Sequence, residues 1–179
     1  MIKLEYFTKE DFQQLIDWID NEDLLANWAG SLFSFPLTHH SLEWYLDKTN
    51  DPQTSDAMVY KAVSTDTGKA VGHISLGSIS RKNSSARITR VLIGDDSFKG
   101  KGLCCKMVTA ILKIAFKQLQ LHKVSLGVYD FNKKALGCYT KCGFVTEGVM
   151  RDVLKTDDGY WSLVEMSILE DEWRALHPK

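Results

Sequence analysis

Proline is scarce in this 179-residue chain: Pro36, Pro52 and Pro178 stand alone, so no proline-rich linker divides it. Internal repeats and low-complexity tracts are also missing, and a single domain over residues 1–179 is the economical reading. No segment supplies the roughly 18 consecutive apolar residues of a membrane span. The opening, Met1 to Phe12, has neither the basic start nor the apolar run of a secretion signal. No membrane partner and a cytoplasmic location are therefore expected. Charge of one sign is lacking too, with 22 Lys and Arg against 23 Asp and Glu. Without a net field the chain has no general attraction for nucleic acid, and none is expected as a partner. The four cysteines do not form a secreted framework: Cys104 and Cys105 are adjacent, and Cys138 and Cys142 are one helical turn apart. Reduced thiols are expected, and no metal, because no second pair with recognisable spacing completes a four-ligand set.

What is present is enough apolar residue, 44% of the chain, to bury a core of ordinary size. Ile2 to Phe7 reads as a strand. Thr8, with Asp11 three residues on, then opens a helix carrying Phe12, Leu15, Ile16 and Ile19. A loop without clear period, Asn27 to His40, leads to a second helix from about Ser41 to Asp47, and His39 and His40 read as loop surface. Three strands follow at Ala57–Ser64, Ala70–Ser80 and Arg87–Ile93, joined by short turns into an antiparallel meander. From Gly102 a long helix is marked by the polar stripe Lys106, Thr109, Lys113, Lys117 and Gln120. Lys123–Val128 reads as a strand, Asn132 caps a helix that Gly143 ends, and strands near Val145–Leu154 and Tyr160–Leu169 flank a turn at Asp158-Gly159. The class is α+β: a mostly antiparallel sheet of about seven strands with about four helices.

The chemistry concentrates where the strand Val91-Leu92-Ile93 feeds a glycine-rich turn and the long helix starts. Such a junction points unpaired backbone amides and a positive dipole end at an anion, so a phosphate group is expected there. A Walker loop does not fit, because five residues separate Gly94 from Gly100 and Gly102 follows Lys101. A dinucleotide fingerprint does not fit either, because the third glycine position holds Cys105 and the strands before it form a meander.

The turn Lys99-Gly100-Lys101-Gly102-Leu103-Cys104 resembles the pyrophosphate loop, Arg/Gln-x-x-Gly-x-Gly/Ala, of the GNAT acetyltransferases. It departs from that pattern by Lys99 in the first slot, which loses the planar fork of arginine, and by Cys104 in the last. A second match follows in order. Asn132, Ala135, Tyr139 and Gly143-Phe144 resemble the family's Asn-x-x-Ala, Tyr and Gly-Phe signature. The resemblance is to the family at large and particularly to the branch that acetylates ribosomal-protein N-termini. It is clear from about Arg87 to Leu169 and one of element order before that.

The resemblance implies the GNAT fold, acetyl-CoA as co-substrate, an amine acceptor and an N-acetyltransferase activity. A non-catalytic acyl-CoA-binding module is the alternative. Val91, Leu92 and Ile93 would meet the thioester arm, Lys99 to Cys104 the pyrophosphate, and Asn132 would also touch the cofactor. Tyr139 would protonate the departing sulfur, and it shares a helix face with Asn132 seven residues earlier. The base is left between His73, in Gly72-His73-Ile74, and Glu147, which resembles the N-terminal acetyltransferase branch but sits four residues from Arg151 as a pairing partner. For the acceptor, Trp28, Phe33 and Phe35 are either pocket walls or a staple of the loop onto the core. Strand alternation puts Arg87 and Arg90 on opposite faces, so at most one of them reaches a cleft. The assembly is expected to be a monomer or homodimer.

Overall fold

The computed structural model describes residues 1–178. Its seven strands are β1 (Ile2–Tyr6), β2 (Met58–Ser64), β3 (Ala70–Ser80), β4 (Ser85–Ile93), β5 (Lys123–Tyr129), β6 (Val145–Thr156) and β7 (Gly159–Leu169). They form one sheet in the order β1-β2-β3-β4-β5-β7-β6. Every neighbouring pair is antiparallel except β4 with β5. Six α-helices accompany them: α1 (Phe12–Trp18), α2 (Glu22–Ala29), α3 (His39–Leu46), α4 (Leu103–Lys113), α5 (Lys133–Lys141) and α6 (Glu170–Leu176).

The central strands of the sheet are covered on both sides, whereas edge strand β6 is largely exposed, and β2 shows how the covering is built. Met58, Tyr60 and Ala62 face a core built with Met107, Val108 and Ile111 of α4, whereas Val59 faces a second core with Phe12, Leu15, Leu25 and Leu42 of the first three helices. Alternation of side chains along a strand sends successive residues to opposite layers. Helix α1 is preceded by the capping pair, in which the Thr8 amide donates to Asp11 at 2.8 Å. The Asp11 carboxylate also takes Lys61 of β2 at 2.8 Å, which ties the helical layer to the sheet.

Two short helices are absent from the sequence expectation. Helix α2 covers residues that periodicity assigns partly to a loop, because eight residues give only Leu25 and Trp28 as buried positions. Its start is nonetheless encoded: the Asn21 side chain accepts the amide of Leu24 at 2.8 Å. Helix α6 has the same brevity, and Trp173 is its buried anchor. Helix α3 begins at His39, capped by Thr38, so His39 and His40 are helical rather than loop residues. The end of α4 widens into a π turn over Ile114–Gln118.

Candidate active site

Strands β4 and β5 pair only from Ser85 with Lys123 to Ile88 with Leu126. Beyond that point they diverge, so the β4 backbone from Thr89 to Ile93 has no strand partner on that side. A cleft of about 1160 Å³ fills the opening. The parting is built into β4: Arg90 has a φ of 53°, which an L-residue adopts at a cost, and the neighbouring ladder with β3 shifts register between His73 and Ser75. The indole of Trp28 pins the bulge by donating to the Arg90 carbonyl at 3.0 Å.

At the far end of the cleft the chain leaves β4 through Gly94. A Cβ there would lie 2.0 Å from the Trp18 ring, so the chain can pass only as glycine. The Asp95 side chain caps a short turn by accepting the Ser97 amide at 2.9 Å, and Lys99 pairs with Asp96. Gly100 and Gly102 both take positive φ, 76° and 72°, and Gly102 is the N-cap of α4. No side chain caps that helix, so its first amides face the cleft end as free donors beside a positive dipole end. This is the cradle that the turn Lys99 to Cys104 implies for a pyrophosphate.

Lining residues include Val91, Leu92, Ile93, Lys99, Gly100, Gly102, Leu103, Cys104, Asn132 and Tyr139, so nearly the whole expected cofactor set converges here, with Lys101 the exception. Asn132 spends its side-chain oxygen on the Ala135 amide, at 3.1 Å, as the cap of α5. Tyr139 is 6% exposed, and burial holds its phenol well above the usual tyrosine range. A phenol that keeps its proton is a donor. Among the described residues, six cationic ones line the cleft, Arg87, Arg90, Lys99, Lys133, Lys134 and Lys141, against one carboxylate, that of Asp96, which is already paired with Lys99. That balance suits a ligand carrying several phosphates.

Both arginines of β4 are in the lining, contrary to the expectation from alternation. The bulge at Arg90 is the reason: a residue in the left-handed region breaks the two-residue repeat, so the parity count fails across it. Arg87 reaches across β5 and grips Glu165 of β7 with both guanidinium nitrogens. The sequence offers no local signal for that pair. Nor does it signal Tyr129, which lines the cleft and meets Phe131 and Trp161 at ring-centroid distances of 5.7 and 4.9 Å.

The two candidate bases lie elsewhere. His73 is fully buried among Phe7, Trp28 and Tyr45, its ring nitrogens have no partner, and burial together with the charge of Arg90 pushes its pKa down to about 3. Glu147 pairs with Lys123 rather than Arg151 and accepts the Ser167 hydroxyl at 2.6 Å; the hydrogen bond from Lys123 holds its carboxyl below the usual range. Lys123 begins β5 at the paired end, and the cleft opens only from Leu126 onward, roughly 10 Å along the strand. Neither side chain lines the cleft.

Of the aromatic trio, Trp28 touches the cleft, while Phe33 and Phe35 line a separate shallow depression with Leu32, Pro36, His40 and Trp44. Trp28 and Phe33 stack at 5.8 Å, which is the staple geometry.

The cysteines correct the expectation of four reduced thiols. Helix α4 meets α5 so that Cys104 is joined to Cys138 in a disulfide, with Cα atoms 6.6 Å apart, while the free thiols of Cys105 and Cys142 lie 2.6 Å apart. Spacing within each helix shows only neighbours on that helix. The contact spans 34 residues of sequence and appears only when the helices pack.

Comparison with known proteins gives the class. Residues 2–145 match the acetyltransferase (GNAT) domain, and the chain belongs to that family. It is an acetyl-CoA-dependent N-acetyltransferase, with the mixed α/β fold that the element order implies. An uncharacterised N-acetyltransferase of the SPbeta prophage, YokL of Bacillus subtilis, is 24% identical over 91% of this chain and 87% of its own length. The putative ribosomal N-acetyltransferase YdaF of the same organism is 30% identical over 60% of this chain and 58% of its own. Among solved structures, the spermidine N-acetyltransferase of Vibrio cholerae in complex with CoA and spermine superposes with a TM-score of 0.81 at 22% identity, covering 96% of this chain and 97% of that one. The ribosomal and spermidine names point to different acceptors, so the likeness defines the family and leaves the acceptor to be argued from the cleft.

Proposed function

We propose that the cleft between β4 and β5 transfers acetyl to a primary amine by direct attack, with Tyr139 as the proton donor to the departing thiol. The observation that carries this reading is the presence of Tyr139, a buried phenol held protonated, in the lining of the cleft that also contains the unpaired backbone of β4. Negative charge develops first on the thioester oxygen and then on the sulfur. Backbone amides of the Val91–Ile93 segment would serve the oxygen, the phenol would protonate the sulfur as the C–S bond breaks, and the proton shed by the attacking nitrogen as the amide forms would return to the phenol directly or through water. The Lys99–Cys104 turn, with Asn132, would hold the cofactor's phosphates and arm in place, so that binding energy positions the acetyl group at the bulge.

Among the described residues no imidazole lines the cleft, and the one lining carboxylate is paired with Lys99, so neither offers a base for the amine. The acceptor therefore binds as its minor free-base form, or sheds its proton to water at the open mouth of the cleft. For an alkyl amine of pKa about 10, that form is about one molecule in a thousand at pH 7. A peptide α-amine, with pKa near 8, starts with a larger share. A protein N-terminus and a small metabolite both satisfy this chemistry.

The test is product detection. Purified protein is incubated with acetyl-CoA and a library of primary amines and peptides, and acetylated products are sought by mass spectrometry. Acetylation of at least one member above the uncatalysed level supports the reading. Saturable CoA binding with no product from any amine would favour the non-catalytic module instead.

A further inference from the structure

Arg90 is the one cation of the cleft that occupies its apex without a counter-ion. Arg87 is neutralised by Glu165 and Lys99 by Asp96. Lys133, Lys134 and Lys141 lie on α5. Arg90 instead sits where β4 leaves β5, immediately before the Val91–Ile93 segment that meets the thioester in the reading above. Among the described residues no carboxylate pairs with it. One terminal nitrogen donates to the Thr89 hydroxyl at 2.9 Å, the guanidinium carbon lies 4.9 Å from the centre of the Tyr45 ring, and Nε is buried with no partner. A half-buried guanidinium is expensive to leave unpaired and strongly favours a carboxylate, which it can meet with two parallel hydrogen bonds. Among the described residues the same lining holds no free carboxylate for the second and third ammonium groups of a polyamine.

We infer that the acceptor is a primary amine bearing a carboxylate close to the reacting nitrogen, such as an α-amino acid with an apolar side chain, and that Arg90 is the residue that reads the carboxylate. This rests on the transfer reading above and names its substrate class. The apolar preference comes from the cleft walls, to which Leu24, Trp28, Tyr129 and Leu163 contribute, Trp28 bonding to the Arg90 carbonyl. Chemically, the carboxylate anchors the molecule while its amine faces the thioester, and the guanidinium gains the partner it lacks.

The test compares phenylalanine with phenethylamine, which differ by the carboxylate alone, and adds spermidine. In the parent protein kcat/KM should favour phenylalanine by about a hundredfold, the scale expected when a buried charge loses its partner. Arg90→Gln removes the charge while keeping a polar side chain and the backbone carbonyl that receives Trp28, and it should collapse that ratio toward unity; Arg90→Lys, which keeps the charge and more of the reach, should restore part of it. Circular dichroism and the Kd for acetyl-CoA establish that the variants are folded. An unchanged ratio in Arg90→Gln, or equal proportional losses on both amines, would assign the guanidinium to the thioester and overturn the inference. Preference of the parent for spermidine would also overturn it. If no amine is acetylated, the transfer reading fails separately. Calorimetric binding of phenylalanine to the CoA-loaded parent, lost in Arg90→Gln, would then still support the carboxylate subsite, and no such binding would refute it.

Discussion

Arg87 passes under the backbone of Gly127 to reach Glu165 two strands away. A Cβ on Gly127 would sit 2.5 Å from the Arg87 guanidinium, so the glycine is what opens the route. The pair bridges β4 and β7 across β5, and both side chains are mostly covered. Removing one member leaves the other charge partly buried without its partner. Glu165→Ala is expected to lower unfolding free energy by about 2 kcal/mol, below the cost of a fully buried break because solvent reaches the pair. Urea unfolding checks this, and a loss under about 0.5 kcal/mol would mean that water replaces the carboxylate without cost.

Gly102→Val addresses the α4 cradle. A φ of 72° suits glycine and strains a β-branched residue by about 1–2 kcal/mol, although a Cβ there meets no atom of the protein within 4 Å. The empty space is where a phosphate would approach the helix amides. The variant should stay folded, lose at most about 2 kcal/mol, and bind acetyl-CoA at least tenfold more weakly by calorimetry. Unchanged affinity would show that the glycine serves the turn alone.

His73 gives a pH signature in stability rather than activity. Its pKa of about 3 in the folded chain lies below the ordinary value of 6.5, so the unfolded state binds the extra proton first as pH falls. The contribution is fully present above pH 6.5 and is lost toward pH 3, at up to about 1.4 kcal/mol per pH unit. Between pH 7 and pH 5 the parent should therefore lose about 2 kcal/mol more than His73→Leu, which has no imidazole to charge. Equal losses in the two proteins by urea unfolding would contradict the buried neutral imidazole.

Among the described residues no imidazole or unpaired carboxylate lines the cleft, and the proposed reaction leaves the acceptor to supply the free amine. The logarithm of kcat/KM should then rise with a slope of about one per pH unit and level off near the acceptor's own pKa, about 8 for a peptide α-amine and about 10 for an alkyl amine. A plateau that stays at one pH when the acceptor is changed would reveal a titrating protein group and contradict the reading.

The order of elements and the cofactor turn were legible because both depend on local spacing: a capping pair at Thr8 and Asp11, a polar stripe on α4, glycines at a strand-to-helix junction. What was not legible depends on contacts between distant segments or on a local break in a repeat. The side of the sheet that Arg90 faces follows from a bulge, and the Cys104–Cys138 bond follows from how α4 leans on α5. Glu147 matched a motif in sequence, yet the register of β6 on β7 carries it to the end of the sheet where Ser167 and Lys123 hold it. Short helices such as α2 fall between these cases, with a readable cap and too few turns for a readable period.

The most direct measurement of the central claim is the turnover of Tyr139→Phe with acetyl-CoA and an amine the parent accepts, followed by release of the CoA thiol. Only the hydroxyl is lost, and the ring keeps its contact with Phe144, 6.1 Å between centroids. A general acid contributes about a hundredfold at the lower end, so kcat should fall by about that factor while the Kd for acetyl-CoA stays within about twofold. Turnover within about twofold of the parent would contradict the account and leave Tyr139 as a packing residue.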